Sequence, residues 1–118
     1  MTQRQEQVRK LLKVEISEII HREMRDPRLG FVTITDVKIS PDLKYARVFM
    51  SIMGDQKQQE IGLAALKHAS GFVRGELGKR IRMRIIPEIE FQIDESIERG
   101  ARIFEILQQV KQDEPDKE

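Results

Sequence analysis

The sequence predicts one α/β domain, of the α+β kind, in which a three-stranded mixed sheet carries helices on one face. Three observations point there. Apolar residues recur at helical spacing near the N-terminus, two β-branched runs flank a turn-forming segment, and two consecutive helical patterns lead into a third alternating run. A strand that returns through helices to a neighbouring strand makes a right-handed parallel crossover, so hairpin and crossover together give a mixed sheet. The 118 residues, 39% of them hydrophobic, suffice for a single core. The domain is expected at 1–112, with an acidic, disordered tail at 113–118.

Val8, Leu11, Leu12, Ile16, Ile19, Ile20 and Met24 recur at intervals of three and four, and Asp26-Pro27 stops the pattern, which predicts the first helix. From Phe31 the chain turns β-branched, but Val32 and Ile34 lie on one parity and Val37 and Ile39 on the other. A strand that switches its buried face contains a bulge, predicted near Thr35-Asp36. Ser40-Pro41-Asp42-Leu43-Lys44 has turn chemistry, and Ala46, Val48, Met50 and Ile52 then alternate with Tyr45, Arg47 and Ser51 to close a long hairpin.

After Gly54-Asp55, Ile61, Ala64, Ala65, Leu66 and Ala69 predict a helix, and Phe72, Val73, Leu77 and Ile81 resume a helical period at once. Too few residues intervene for a loop. The expected geometry is a helix pair bent at Ala69, Ser70 and Gly71, where small side chains let the halves approach. Ile85, Ile89, Phe91 and Ile93 share one parity and form the third strand, with Pro87 suited to an edge or a strand's beginning. Asp94 can cap a last helix whose buried face would use Ile97, Ala101, Phe104, Leu107 and Val110.

Composition excludes much chemistry. With no Cys there is no disulfide, thiolate zinc site or Cys nucleophile, and with only His21 and His68 there is no three-His metal site. Neither His has a Cys, Ser or carboxylate at a spacing that suggests a catalytic group, so no catalytic residue, metal or cofactor is expected. Glu88, Glu90, Asp94 and Glu95 read as a solvated acidic row, not a Mg²⁺ site. The polar N-terminus lacks the apolar stretch of a secretory signal, and no segment approaches a membrane span, so a cytoplasmic protein is expected.

The net charge of +1 hides a segregation along the chain. Lys67, Arg74, Lys79, Arg80, Arg82 and Arg84 crowd one stretch against Glu76 alone, whereas Pro87 to Glu98 holds acids and no base. Arg4, Arg9, Lys10 and Lys13 make a second basic strip on the first helix. Such asymmetry lets one face attract phosphates while another repels them. Aromatic residues are few, and most Phe fall at core-facing positions, with Tyr45 read as a partly buried strand residue. Base stacking is therefore not expected to dominate.

The element order resembles a KH domain of the type II topology, a single-stranded nucleic-acid reader. Gly75-Glu76-Leu77-Gly78 has the spacing of the KH backbone-clamping loop, but it lies within a helical pattern, presents an acid, and reads as helix. A closer resemblance is to the ribosome-binding factor A family, in which an Ala-x-Gly kink replaces that loop. Ala69-Ser70-Gly71 is similar to that kink. The family pattern is also matched by Ile39-Ser40-Pro41-Asp42-Leu43-Lys44-Tyr45-Ala46-Arg47-Val48, by Arg84-Ile85-Ile86-Pro87-Glu88-Ile89-Glu90-Phe91, and by Asp94-Glu95-Ser96-Ile97-Glu98-Arg99-Gly100.

The resemblance implies a non-enzymatic assembly factor that binds the immature small ribosomal subunit and its rRNA near the decoding region. It would assist late maturation there, including rRNA processing, with greater demand in the cold. Neighbouring ribosomal proteins and a GTPase that drives release are the further partners implied. The expected RNA-binding residues are Lys67, Arg74, Lys79, Arg80, Arg82 and Arg84 around the kink, with Arg4, Arg9, Lys10 and Lys13 on the first helix, about half of them in contact. A monomer is expected. The alternative is a protein-interaction adaptor whose sheet or terminal helix engages a partner, with RNA contact incidental.

Overall fold

The computed structural model describes residues 2–24, 26–96 and 104–110. Helix α1 (Gln3–Glu18) opens on Thr2, whose hydroxyl accepts the Gln5 N–H at 3.1 Å while its own N–H donates to Gln5 Oε1 at 2.7 Å. This reciprocal box satisfies donors that a helix start leaves orphaned. Val8, Leu12 and Ile16 are buried as their spacing predicts, but Leu11 is largely exposed on the flank. The helix then widens into a π turn (Ile19–Glu23), closed by the Met24 N–H on Ile19 O at 3.2 Å. Both Ile19 and Ile20 stay buried through that turn.

Strands β1 (Val32–Ile39) and β2 (Tyr45–Ile52) pair antiparallel, and their register shifts between Ile34 and Asp36. The bulge falls where the parity switch predicts it. It keeps Val32 and Ile34 on the same buried face as Val37 and Ile39. The Ser40 to Lys44 turn places Leu43 at φ 62° and is held by Asp42 Oδ1, which accepts from Ser40 Oγ at 2.6 Å and Lys44 N at 3.0 Å.

Helix α2 (Gln56–His68) is capped by Asp55, and α3 (Ser70–Arg80) follows after the single non-helical residue Ala69, at φ −88° and ψ 3°. Strand β3 (Glu88–Ile93) pairs parallel with β2, so the sheet order is β1-β2-β3. The predicted mixed sheet and bent helix pair are therefore present. The core lies between sheet and helices, where Leu12, Ile16, Val37, Val48, Met50, Leu66, Val73, Leu77 and Phe91 are sealed from solvent. Gly62 lets α2 approach the sheet, since a β-carbon there would sit 3.0 Å from Ile52 Cδ1.

Several expectations need correction. The third strand starts at Glu88 and not at Ile85, which is exposed, because buried Pro87 interrupts the ladder just before it. Among the Phe residues described, only Phe91 is buried, while Phe31, Phe72 and Phe104 are exposed and Phe49 is half-buried beneath the Lys38 ammonium, 5.4 Å from its ring centroid. Tyr45 is 57% exposed, because it lies on the sheet face that carries no described helix. Residues 104–110 are helical, but Phe104, Leu107 and Val110 are exposed instead of buried. Ile97, Ala101 and the 113–118 tail lie outside the described residues.

Arg28 donates its backbone N–H and side-chain N–H groups to Asp26, and these hydrogen bonds hold the Asp26 carboxyl down at about 2. Asp94 is held low by Ser96 and Thr35, and Asp42 by Ser40 and the Lys44 N–H. Carboxylates depressed on folding contribute stability above their unfolded values and lose it as pH falls through the folded ones. The melting temperature is expected to hold down to about pH 5 and to drop below about pH 4. Asp26→Asn should show a smaller acid drop than the parent in paired calorimetric scans.

Candidate nucleic-acid interface

The bend at Ala69 is open to solvent. Ala69 and Ser70 are half-buried, Gly71 is exposed, and a β-carbon added at Gly71 would meet nothing within 4 Å. Ser70 Oγ donates to Lys67 O at 2.9 Å and so occupies one of the carbonyls that the end of α2 leaves free. Nothing in the fold covers this elbow among the described residues. Lys67 lies two residues before the bend and Arg74 five after it, whereas Lys79 and Arg80 stand about 15 Å along α3 at its far end, with Arg82 and Arg84 beyond.

Those cations have different commitments. Lys67, Arg82 and Arg84 are exposed and have no ion-pair partner among the described residues. Arg74 donates Nε at 3.1 Å and Nη2 at 2.8 Å to Ile86 O, which pins the 81–87 segment to α3. Its charge stays at the surface, unpaired among the described residues. Lys79 reaches Glu76 at 3.2 Å across one helical turn, with its side chain 76% exposed. Such an exposed pair holds its lysine only weakly.

Arg80 is different. It lies 3.4 Å from Glu15, 3.0 Å from Glu18 and 3.3 Å from Glu23, with only 24% of its side chain exposed. Burial works against its charge, but hydrogen bonds to Glu15 and Glu18 outweigh that and raise its pKa further. Arg80 therefore fastens the end of α3 to α1 and the π turn. Its guanidinium is engaged within the fold, unlike those of Arg82 and Arg84.

The strip expected on α1 is divided. Arg9 is drawn to Glu6 at 2.6 Å and to Asp36 at 3.0 Å, and the hydrogen bond to Glu6 is the main cause of its raised pKa. It thereby docks α1 on the bulge of β1. Exposed Lys10 and half-buried Lys13 lie one turn apart, but Arg4 falls on the opposite side of the helix from Lys13. Glu15 and Glu18, which reach Arg80, are also on the side away from Lys13, so Lys10 and Lys13 face away from α3.

The open sheet face has another character. Glu88 and Glu90 are exposed beside Tyr45 and Arg47, with Arg47 3.8 Å from Glu90, around a shallow depression of about 310 Å³. Asp94 accepts from Thr35 Oγ1 at 2.6 Å and from Ser96 N at 2.9 Å, while most of the helix it is expected to cap lies outside the described residues. His68 is exposed at the end of α2, and His21 Nε2 lies 2.7 Å from Val32 O. No group of three or more metal-ligating side chains gathers among the described residues.

Phe72, expected in one apolar period with Val73, Leu77 and Ile81, is 48% exposed, because it lies about 100° around α3 from buried Val73.

The ribosome-binding factor A family model matches residues 4–107. A ribosome-binding factor A of Desulfitobacterium hafniense is 53% identical over 103 residues, covering 87% of this chain and 82% of the relative. The crystal structure of ribosome-binding factor A from Thermus thermophilus superposes with a TM-score of 0.69 at 29% identity, over 75% of this chain and 93% of that one. A Thermus thermophilus homology model fitted into the cryo-EM map of a 30S complex superposes with a TM-score of 0.63 at 30% identity, over 74% of this chain and 91% of that one.

The two classes of arginine should separate by stability. Arg80→Ala leaves three carboxylates facing one another and is expected to lower the melting temperature by several degrees, whereas Arg82→Ala and Arg84→Ala should melt with the parent. Thermal denaturation of the three variants, followed by circular dichroism, measures this.

Proposed function

The chain belongs to the ribosome-binding factor A family, and we propose from that membership that it binds the small ribosomal subunit through rRNA contacts made by the α2–α3 elbow. The observation that carries this reading is the open bend together with the surface that runs from it along α3 to the segment beyond, on which Lys67, Arg74, Lys79, Arg82 and Arg84 are exposed. The 30S complex into which the Thermus thermophilus relative was fitted supports the same partner. Ammonium and guanidinium groups meet phosphate oxygens, and arginine adds two-pronged geometry. Phosphate contacts of this kind supply affinity and register and involve no covalent step.

In this reading the protein is a cytoplasmic, monomeric assembly factor, not an enzyme. It assists late small-subunit maturation, including rRNA processing, with the greatest demand in the cold, where misfolded RNA helices rearrange slowly. Lys10, Lys13 and Arg4 are auxiliary contacts on other sides of α1, while Arg80 and Arg9 act through the packing of α1.

If five cations meet phosphates, the logarithm of affinity should fall with the logarithm of salt at a slope of about −3.5 to −4.5. Reversing Lys79, Arg82 and Arg84 to Glu should weaken association with immature small subunits by at least about tenfold and flatten that slope by about 1 for each phosphate no longer met. Sedimentation binding over a salt series, with melting curves as a check on folding, measures both. Undiminished association would instead favour an adaptor that docks through protein contacts, for which exposed Phe104, Ile106, Leu107 and Val110 offer a surface.

A further inference from the structure

The outward side of α3 is unusual in what it lacks. Opposite buried Val73 and Leu77, the helical period centres Gly71, Gly75 and Gly78 on the solvent face, with Arg74 along one flank and Phe72 and Lys79 along the other. None of these glycines has a positive φ. A β-carbon would meet nothing within 4 Å at Gly71 or Gly75, and only Ile86 Cγ1 at 3.8 Å at Gly78. Packing inside the molecule therefore calls for no glycine at these positions, although each costs roughly 0.8–1 kcal/mol against alanine in a helix.

Phe72 stands beside that bare backbone with 48% of its surface exposed. The other exposed aromatics among the described residues have different neighbours. Phe31 accepts the Met53 N–H at its carbonyl, Tyr45 pairs with Glu88 across the sheet, and Phe104 shares a helical segment with Ile106, Leu107 and Val110. Phe72 alone of these stands on α3 beside the glycine strip, with Glu76 one turn along and Lys79 two turns along the same flank.

We infer that Phe72 is a base-stacking residue that holds an unpaired nucleotide at the elbow. The inference rests on the RNA-binding reading above and deepens it from phosphate contact to recognition of single-stranded RNA. A duplex keeps its base faces stacked and unavailable, whereas an unpaired base can lie on the phenyl ring. Lys79, about 10 Å along the same flank, and Arg74, across the glycine strip, can then meet phosphates of neighbouring nucleotides, and the glycine strip lets the sugar-phosphate chain approach the helix backbone. Aromatic stacking is tolerant of sequence, so the contact selects an unpaired nucleotide without selecting which base.

The test uses the full chain with Phe72→Ala, Phe72→Leu or Phe72→Trp, binding purified immature small ribosomal subunits over a salt series. Ala and Leu should each weaken binding by about 5- to 150-fold at an unchanged salt slope, and Trp should bind as tightly as Phe or tighter. All three should melt with the parent, since the side chain is half outside the core. Leucine binding as well as phenylalanine would overturn the inference in favour of an apolar protein contact. Alanine binding undiminished would overturn it outright. If the Lys79, Arg82 and Arg84 reversals abolish binding while Phe72→Ala does not, stacking alone fails. If neither set of changes has an effect, the RNA-binding reading fails with it.

Discussion

A parallel pairing of β2 with β3 forces the chain to leave one end of the sheet and return to the other, and the exposed elbow between α2 and α3 follows from how that return is made. A single straight helix would carry the chain in one direction across the sheet. Two helices joined at one non-helical residue, Ala69, can both lay apolar residues on the same core, with Leu66 from α2 and Val73 and Leu77 from α3 sealed beneath. The bend is therefore a packing solution first. Its by-product is an exposed corner with small side chains and a flexible choice of what surrounds it.

What surrounds it is partitioned by electrostatics. Acidic residues of α1 and the π turn neutralise Arg80, and Asp36 and Glu6 neutralise Arg9, so α1 is tied both to α3 and to the bulge of β1. Partly buried pairs of this kind matter more for fixing the arrangement than for net stability. Of the cations predicted around the bend, Lys67, Arg74, Arg82 and Arg84 have no such partner among the described residues, and neither does Lys10 on α1. Sequence charge counts cannot make this division, because Arg80 and Arg82 read alike until the acids facing each are known.

Local pattern was legible wherever one element met one core. The parity switch between Ile34 and Val37 located the bulge, and the run Ala69-Ser70-Gly71 located the bend, because both are short-range consequences of side-chain period and size. The readings that failed depend on which side of an element is covered. Tyr45 and Phe49 alternate correctly but lie on the sheet face without a described helix, so alternation named their face and not its exposure. Phe72 and Val73 are adjacent on α3 and so about 100° apart, and an apolar run that includes both locates the helix without deciding which of them is covered. Phe104, Leu107 and Val110 have the spacing of a buried stripe, yet no described element packs over them.

The bond from Arg74 to Ile86 O joins two pieces of surface that are distant in mechanism though near in space. It couples the tilt of α3 to the course of the 81–87 segment, so the lysines of the helix pair and the arginines beyond it are presented as one preformed template. A partner that docks on such a template does not have to order it first, and little loop entropy is lost on association. On the proposed RNA-binding reading, rigidity installed during folding becomes shape selectivity: a strand whose phosphates are spaced for both halves engages them together, and one that fits only a single half gains no compensation from the other yielding to meet it.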